Sequence, residues 1–288
     1  MTASEESFSY TSVTGERPFT RRRIFILLIG LGVLLLMAFY TITDAAHLAH
    51  SHVLNGADWA GYALCHRITE RSFTIAGRQF PLCARCTGMY LGVFLVTGIL
   101  WLNGRLRRGG LPTFPILLTL VGFVILMGID GVNSYLHFFP NAPHLYEPRN
   151  WLRLLTGMGV GLMMGLIIVP ALAQTLWRNV DYTPVITSLR ELGGLIVVAL
   201  VLILLLLSNQ PALSYVLALA SSAGLLFIVT ALNVVFLLIL FRRDGRAARW
   251  RETLVPLTMG LALAVLELGL IGLVRFNLTG TMTGLPGL

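Results

Sequence analysis

Apolar residues run along this chain in seven blocks, each close to the length needed to cross a bilayer, separated by shorter polar stretches. At 1.5 Å per helical residue, about 20 residues span a hydrocarbon core of about 30 Å. The blocks are Ile24–Ile42, Ala84–Leu102, Pro115–Phe138, Trp151–Leu172, Leu192–Leu207, Tyr215–Phe241 and Leu254–Val274, the fifth being the shortest at 16 residues. The pattern predicts an all-α, polytopic transmembrane helical bundle of about seven spans. Arg21, Arg22 and Arg23 lead into the first block. Its apolar run is longer than the core of a secretory signal peptide, so an uncleaved anchor is expected.

Composition agrees with that frame. Of 288 residues, 56% are hydrophobic and 12% charged, with mean hydropathy +0.80. Those values exclude an ordinary soluble domain. All 21 basic residues are arginine. With seven spans and a cytoplasmic N-terminus, 14 arginines fall inside and seven outside, as the positive-inside rule requires. The net charge of +8 therefore reads as topology, and no nucleic-acid partner is expected. The expected location is the plasma (inner) membrane. Residues 1–23 read as a cytoplasmic tail and 24–59 as the first span with an outer histidine-rich stretch. Residues 60–175 read as a core membrane domain, and 176–288 as an accessory three-span region.

In this orientation the reactive side chains collect on the outer side. All six histidines and all three cysteines fall there or close by. Cys65-His66 followed by Cys83-Ala84-Arg85-Cys86 places every cysteine and one histidine within 22 residues, just before the second block. Three thiolates and an imidazole are a tetrahedral zinc donor set. A C-x-x-C at a helix start is also a thiol–disulfide motif, because the helix dipole favours thiolate. A disulfide stapling the outer loop is a third reading. The count favours metal: Cys65 or His66, Cys83 and Cys86 use every member, whereas membrane thiol oxidoreductases carry a second cysteine pair. Zn²⁺ is the expected ion. His66 is either a ligand or a neighbour of the ligand sphere, since adjacent residues ligate one ion only through a sharp turn.

Two acids lie inside apolar blocks, Asp130 and Glu267. A charge at mid-bilayer costs about 2.5–3.5 kcal/mol, so each needs a partner, a wet cavity or a proton. Asn150, Arg153 and Thr156 follow one another at helical spacing at the start of the fourth block. Arg153 is placed to reach lipid phosphates or to pair with Asp130. Gly88 and Gly92, and Gly157, Gly161 and Gly165, repeat every four residues as helix-packing faces. His47, His50 and His52 form a row that suits metal entry or a solvated helix end.

The segments Cys65-His66-Arg67, Arg71-Ser72-Phe73 and Gly77-Arg78-Gln79-Phe80-Pro81-Leu82-Cys83-Ala84-Arg85-Cys86-Thr87-Gly88, with Tyr90, resemble the signature of a prokaryotic family. That family is domain of unknown function 2085, a group of predicted integral membrane proteins. Asp130-Gly131 and Asn150…Arg153…Thr156-Gly157 resemble its second motif. The likeness covers about residues 60–168, with an expanded, proline-containing connection at Leu136–Tyr146. It implies that the cysteine motif and Asp130–Arg153 work as one unit, and assigns no activity.

The expectation is a membrane protein with an outward-facing zinc site at Cys65, His66, Cys83 and Cys86. Asp130, Asn133, Asn150 and Arg153 are the candidate catalytic residues: Asp130 as general base, and Arg153 holding the anionic group of a lipid-linked or other anionic substrate. Thiol–disulfide oxidoreduction and metal handling or transport are the alternatives. Transport fits less well, because the inner halves of the spans offer almost no polar path.

Overall fold

The computed structural model describes residues 48–139 and 142–283. The first apolar block, Asp44 and His47 lie outside the described residues. A short helix, α1 (His52–Leu64), is capped by the Ser51 hydroxyl, which accepts from the Leu54 N–H at 3.3 Å. A single 3₁₀ turn, Thr69–Arg71, leads into a hairpin of β1 (Ser72–Ile75) and β2 (Arg78–Cys83). Its two-residue turn, Ala76-Gly77, has φ of 47° and 85°. Positive φ at both central positions matches the right-handed twist of the strands. The hydrophobic blocks did not signal this hairpin, because it is short and sits in polar sequence.

Six helices among the described residues are long and apolar enough to cross a membrane. They include α2 (Ala84–Leu102), α3 (Phe114–Leu136), α4 (Asn150–Leu176), α5 (Leu189–Leu207), α6 (Pro211–Leu240) and α7 (Leu254–Thr279). They correspond to the second through seventh blocks, and α2 has the bounds read from sequence. The polytopic helical bundle is therefore the observed architecture.

The central helix is α4, most of whose apolar length is buried inside the protein. Its closest neighbour is α2, and the glycines explain why. A methyl group on Gly157 would overlap the Arg85 carbonyl, and one on Gly88 would overlap that of Leu154. With little hydrophobic drive between helices in lipid, such close backbone approach is what holds them together. The glycine spacing predicts that α2, α3 and α4 form one tight bundle beneath the cysteine loop, and α2 and α3 do both pack on α4. Of the three, α3 is the least buried, and α6 takes the other flank of α2, so close that a methyl group on Gly224 would overlap the Tyr90 carbonyl. Leu118 and Ile125 on α3, Val197 and Leu204 on α5, and Val265 and Leu266 on α7 are exposed. Apolar faces of that size suit the hydrocarbon of a membrane.

At the end of the bundle away from the cysteines, β3 (Arg108–Gly110) pairs in parallel with β4 (Asp181–Pro184). Nearby, Trp177 and Trp250 meet edge-on at 4.6 Å and the Arg107 guanidinium stacks on Trp177 at 4.1 Å. Tryptophan and arginine grouped in this way suit a headgroup layer.

Candidate functional site

The three cysteines arrive from three backbone settings. Cys65 is the C-cap of α1, Cys83 ends β2 and is the N-cap of α2, and Cys86 follows one turn later on the same face. Gly61 makes the approach of α1 to β2 possible, because a methyl group there would collide with the Pro81 carbonyl. The ligand atoms of Cys65, Cys83 and Cys86 all lie within 4.8 Å of one another, and none of the three is disulfide-bonded. The Cys65 sulfur accepts two backbone N–H groups, from Cys83 at 3.2 Å and Arg67 at 3.5 Å. The Cys83 side chain makes no capping bond and stays free for the cluster.

The cluster shapes its own acidity. Hydrogen bonds from Cys65 and Cys86, with the nearby Arg85 charge, hold the Cys83 thiol well below its ordinary value. The Cys83 contact and burial push Cys65 up to about 11. His66, expected as a ligand or near-ligand, is exposed and stands outside the group of converging ligand atoms. Its backbone is nevertheless fixed: Arg275 on α7 donates to the carbonyls of Tyr62, Cys65 and His66, and stacks on the Tyr62 ring at 4.2 Å. The loop is further knitted by buried Asp58, which pairs with Arg67 at 3.0 Å and with Arg78.

Beside the thiols lies a polar chamber. Asp130 on α3 is 1% exposed, and its ion-pair partner is Arg85, between the two cysteines of the C-x-x-C. The pairing considered from sequence, Asp130 with Arg153, is therefore replaced. Arg85 sits at the start of α2, facing α3, and reaches the acid directly. Arg153 instead donates to the side-chain amide oxygen of Asn150 at 2.8 Å. The second Asp130 oxygen accepts from the Tyr146 hydroxyl at 3.0 Å. Burial and the Asp130 carboxylate push the Tyr146 phenol up to about 12, keeping it neutral and a donor.

Asn133 and Asn150 are both occupied. Asn133 donates to the Tyr146 carbonyl at 2.8 Å and accepts from the Leu145 N–H at 2.7 Å. Asn150 also donates to the Glu70 carbonyl at 3.0 Å, tying α4 to the 3₁₀ turn. Arg71 completes the chamber, donating to the Ser134 carbonyl at 3.2 Å. Burial, then the facing charges of Arg153 and Arg85, push its guanidinium below the ordinary value. Three guanidinium groups thus stand near enough to feel one another's charge, and Arg85 is the one that pairs with Asp130. The buried Nε atoms of Arg85 and Arg153 have no partner.

Two cavities adjoin the site. One, of about 730 Å³, is an apolar groove along α7 that includes Cys65 and His66. The other, of about 370 Å³, runs between α3, α4 and α5 and is lined by Tyr146, Thr156 and apolar side chains such as Phe123 and Leu162. Sequence reading missed Arg85 and Tyr146 as members of the chamber. Arg85 was visible inside the motif, but nothing local told that it would face α3. Glu267, the other acid within an apolar block, accepts from Asn233 of α6 at 2.8 Å, away from this chamber.

Residues 65–167 match the family described as "Predicted membrane protein (DUF2085)". An uncharacterized protein of Methanothermobacter thermautotrophicus is 36% identical over 84 residues, covering 28% of this chain and 76% of the relative. The chain belongs to this family. An uncharacterized protein of Methanocaldococcus jannaschii is 30% identical over 122 residues, covering 42% of this chain and 72% of the relative. No solved structure matches. The matched stretch runs from Cys65 into α4, so it contains the three thiols, Arg85, Asp130, Tyr146 and Arg153. Helices α5, α6 and α7 lie beyond it.

Proposed function

We propose that this family member carries a zinc-type metal centre on Cys65, Cys83 and Cys86, facing the extracytoplasmic side, beside a chamber that binds an anionic headgroup. The observation that carries the reading is the mutual approach of three free sulfurs. Zinc–sulfur bonds of about 2.3 Å place tetrahedral sulfurs about 3.8 Å apart, a separation that the 4.8 Å bound on the three sulfurs admits. A disulfide would use two of the three and leave the third unexplained. The Arg85 charge helps to stabilise thiolate, the ligating form, at Cys83, and the Cys83 N–H on the Cys65 sulfur partly offsets the burial that raises that thiol.

Three protein ligands leave a fourth position for water, substrate or a reoriented His66, as catalytic zinc sites do. Zinc bound there supplies a Lewis acid. Arg85, Arg153 and Arg71 supply more positive charge than Asp130 neutralises, and the orphaned Nε donors suit phosphate or carboxylate oxygens. Asp130 acts less as a free base than expected. It orients Arg85 and holds the Tyr146 hydroxyl, which serves as the proton donor. The cavity beneath Tyr146 suits an acyl or isoprenoid tail, so a lipid-linked anionic substrate is the class proposed.

Metal analysis of the purified chain tests this. At least one zinc per chain is expected, and Cys83→Ser should lose one. Absence of stoichiometric metal from the unaltered protein refutes the reading. Trapping thiols in intact cells separates it from disulfide exchange, which requires a Cys83–Cys86 pair that cycles between oxidised and reduced.

A further inference from the structure

A second group of ligand atoms converges outside this centre, in the connection between α3 and α4. The His137, His144 and Glu147 ligand atoms lie within 4.8 Å of one another. His137 is the C-cap of α3, while His144 and Glu147 stand three residues apart just before α4. The Nε2 atoms of the two imidazoles address different oxygens of the one carboxylate, at 3.7 Å for His137 and 3.5 Å for His144. The rings lie edge-to-face, 5.3 Å apart.

Those separations are too long for N–H···O hydrogen bonds, which fall at 2.7–3.2 Å. They are close to the roughly 3.4 Å between ligand atoms around a tetrahedral ion bonded at about 2.0–2.1 Å. His144 Nδ1 lies 3.4 Å from the Ala142 carbonyl. That contact is also longer than an ordinary hydrogen bond, and a proton on Nδ1 there would leave Nε2 its lone pair for an ion. Nor is the connection loosely tethered. Buried Asn133, one turn before His137, binds the backbone at both Leu145 and Tyr146, between the other two ligands.

We infer that His137, His144 and Glu147 form a second, solvent-facing divalent-cation site of nitrogen and oxygen donors, suited to zinc and to cobalt or nickel as probes. The site belongs to the expanded connection, and its reach extends inward. Tyr146 lies between His144 and Glu147 in sequence, and its hydroxyl meets Asp130 at 3.0 Å. An ion bridging His137 to His144 and Glu147 fixes the segment that carries Tyr146, and so fixes the donor at the edge of the arginine chamber. Asn133 and Glu147 thereby acquire a positioning role.

Cobalt separates the two sites. Thiolate-to-cobalt charge transfer reports only the cysteine centre, whereas elemental analysis counts every bound ion. In untagged, full-length protein, His137→Ala/His144→Ala is expected to lose one cobalt per chain and keep the charge-transfer band. A variant that binds as much cobalt as the unaltered chain overturns the inference. Should the double variant fail to fold, Glu147→Gln, at an exposed position, carries the same test: cobalt affinity must fall with the band intact, and an unchanged titration overturns the proposal. If the unaltered chain shows no thiolate band yet still loses one ion in the variants, the cysteine centre fails and this site stands.

Discussion

Asp130 keeps a carboxylate inside an apolar helix because Arg85 reaches it from α2 and the Tyr146 hydroxyl donates to its other oxygen. Removing one partner of such a buried pair leaves an uncompensated charge, worth about 3–5 kcal/mol. Asp130→Asn is therefore expected to lower the unfolding midpoint markedly in detergent, and more than the exposed control Asp244→Asn. A second consequence concerns the thiols. Cys83, held below its ordinary 9.0, keeps its stabilising contribution above that value and loses it as pH falls through the depressed one. Cys65, raised to about 11, behaves oppositely: its contribution is full below 9.0 and is lost as pH rises past about 11. In metal-free protein near neutral pH, mass spectrometry should find Cys83 alkylated well before Cys65. Equal rates would contradict this ordering. At this scale the sequence identified Cys83, Asp130 and Arg153 as residues of interest. It left the Arg85–Asp130 pairing unread, because residues 45 positions apart meet only when α2 and α3 pack.

Between elements, close contact of α2 and α4 sets the geometry that brings the thiols beside the arginine chamber. Gly157→Ala forces a methyl group against the Arg85 carbonyl, with backbone on both sides and no side chain to yield. Overpacking of this kind costs about 1–3 kcal/mol. It should also disturb Arg85, so loss of stability and loss of bound metal are expected together. Gly98→Ala in the same α2 meets nothing within 4 Å, and should be neutral or stabilising by up to about 1 kcal/mol. Thermal unfolding of the two variants side by side decides the matter. The four-residue glycine spacing was legible because helical period and small side chains leave a local mark. The β1–β2 hairpin was not, since its strands are short and one of them ends in the cysteine motif itself.

For the whole molecule, the arginine distribution predicts that the hairpin end faces outward and the Trp177–Trp250 end faces the cytoplasm. A membrane-impermeant maleimide should label Thr74→Cys in intact cells, and Asp244→Cys only after permeabilisation, with the unaltered chain as control. The reverse pattern inverts the topology and places the thiol centre inside.

Block length and hydropathy determined the class of this protein and six of its spans, because crossing a bilayer imposes a length and an apolar composition that any sequence must display. The arginine bias gives the expected orientation on the same kind of ground, and the clustering of all the cysteines announced the candidate site. Tertiary structure decided who faces whom: three thiols drawn together without His66, Arg85 in place of Arg153 on Asp130, α6 beside α2, and Tyr146 at the chamber's edge. Those choices depend on which helix faces pack together, and no local pattern along the chain records that.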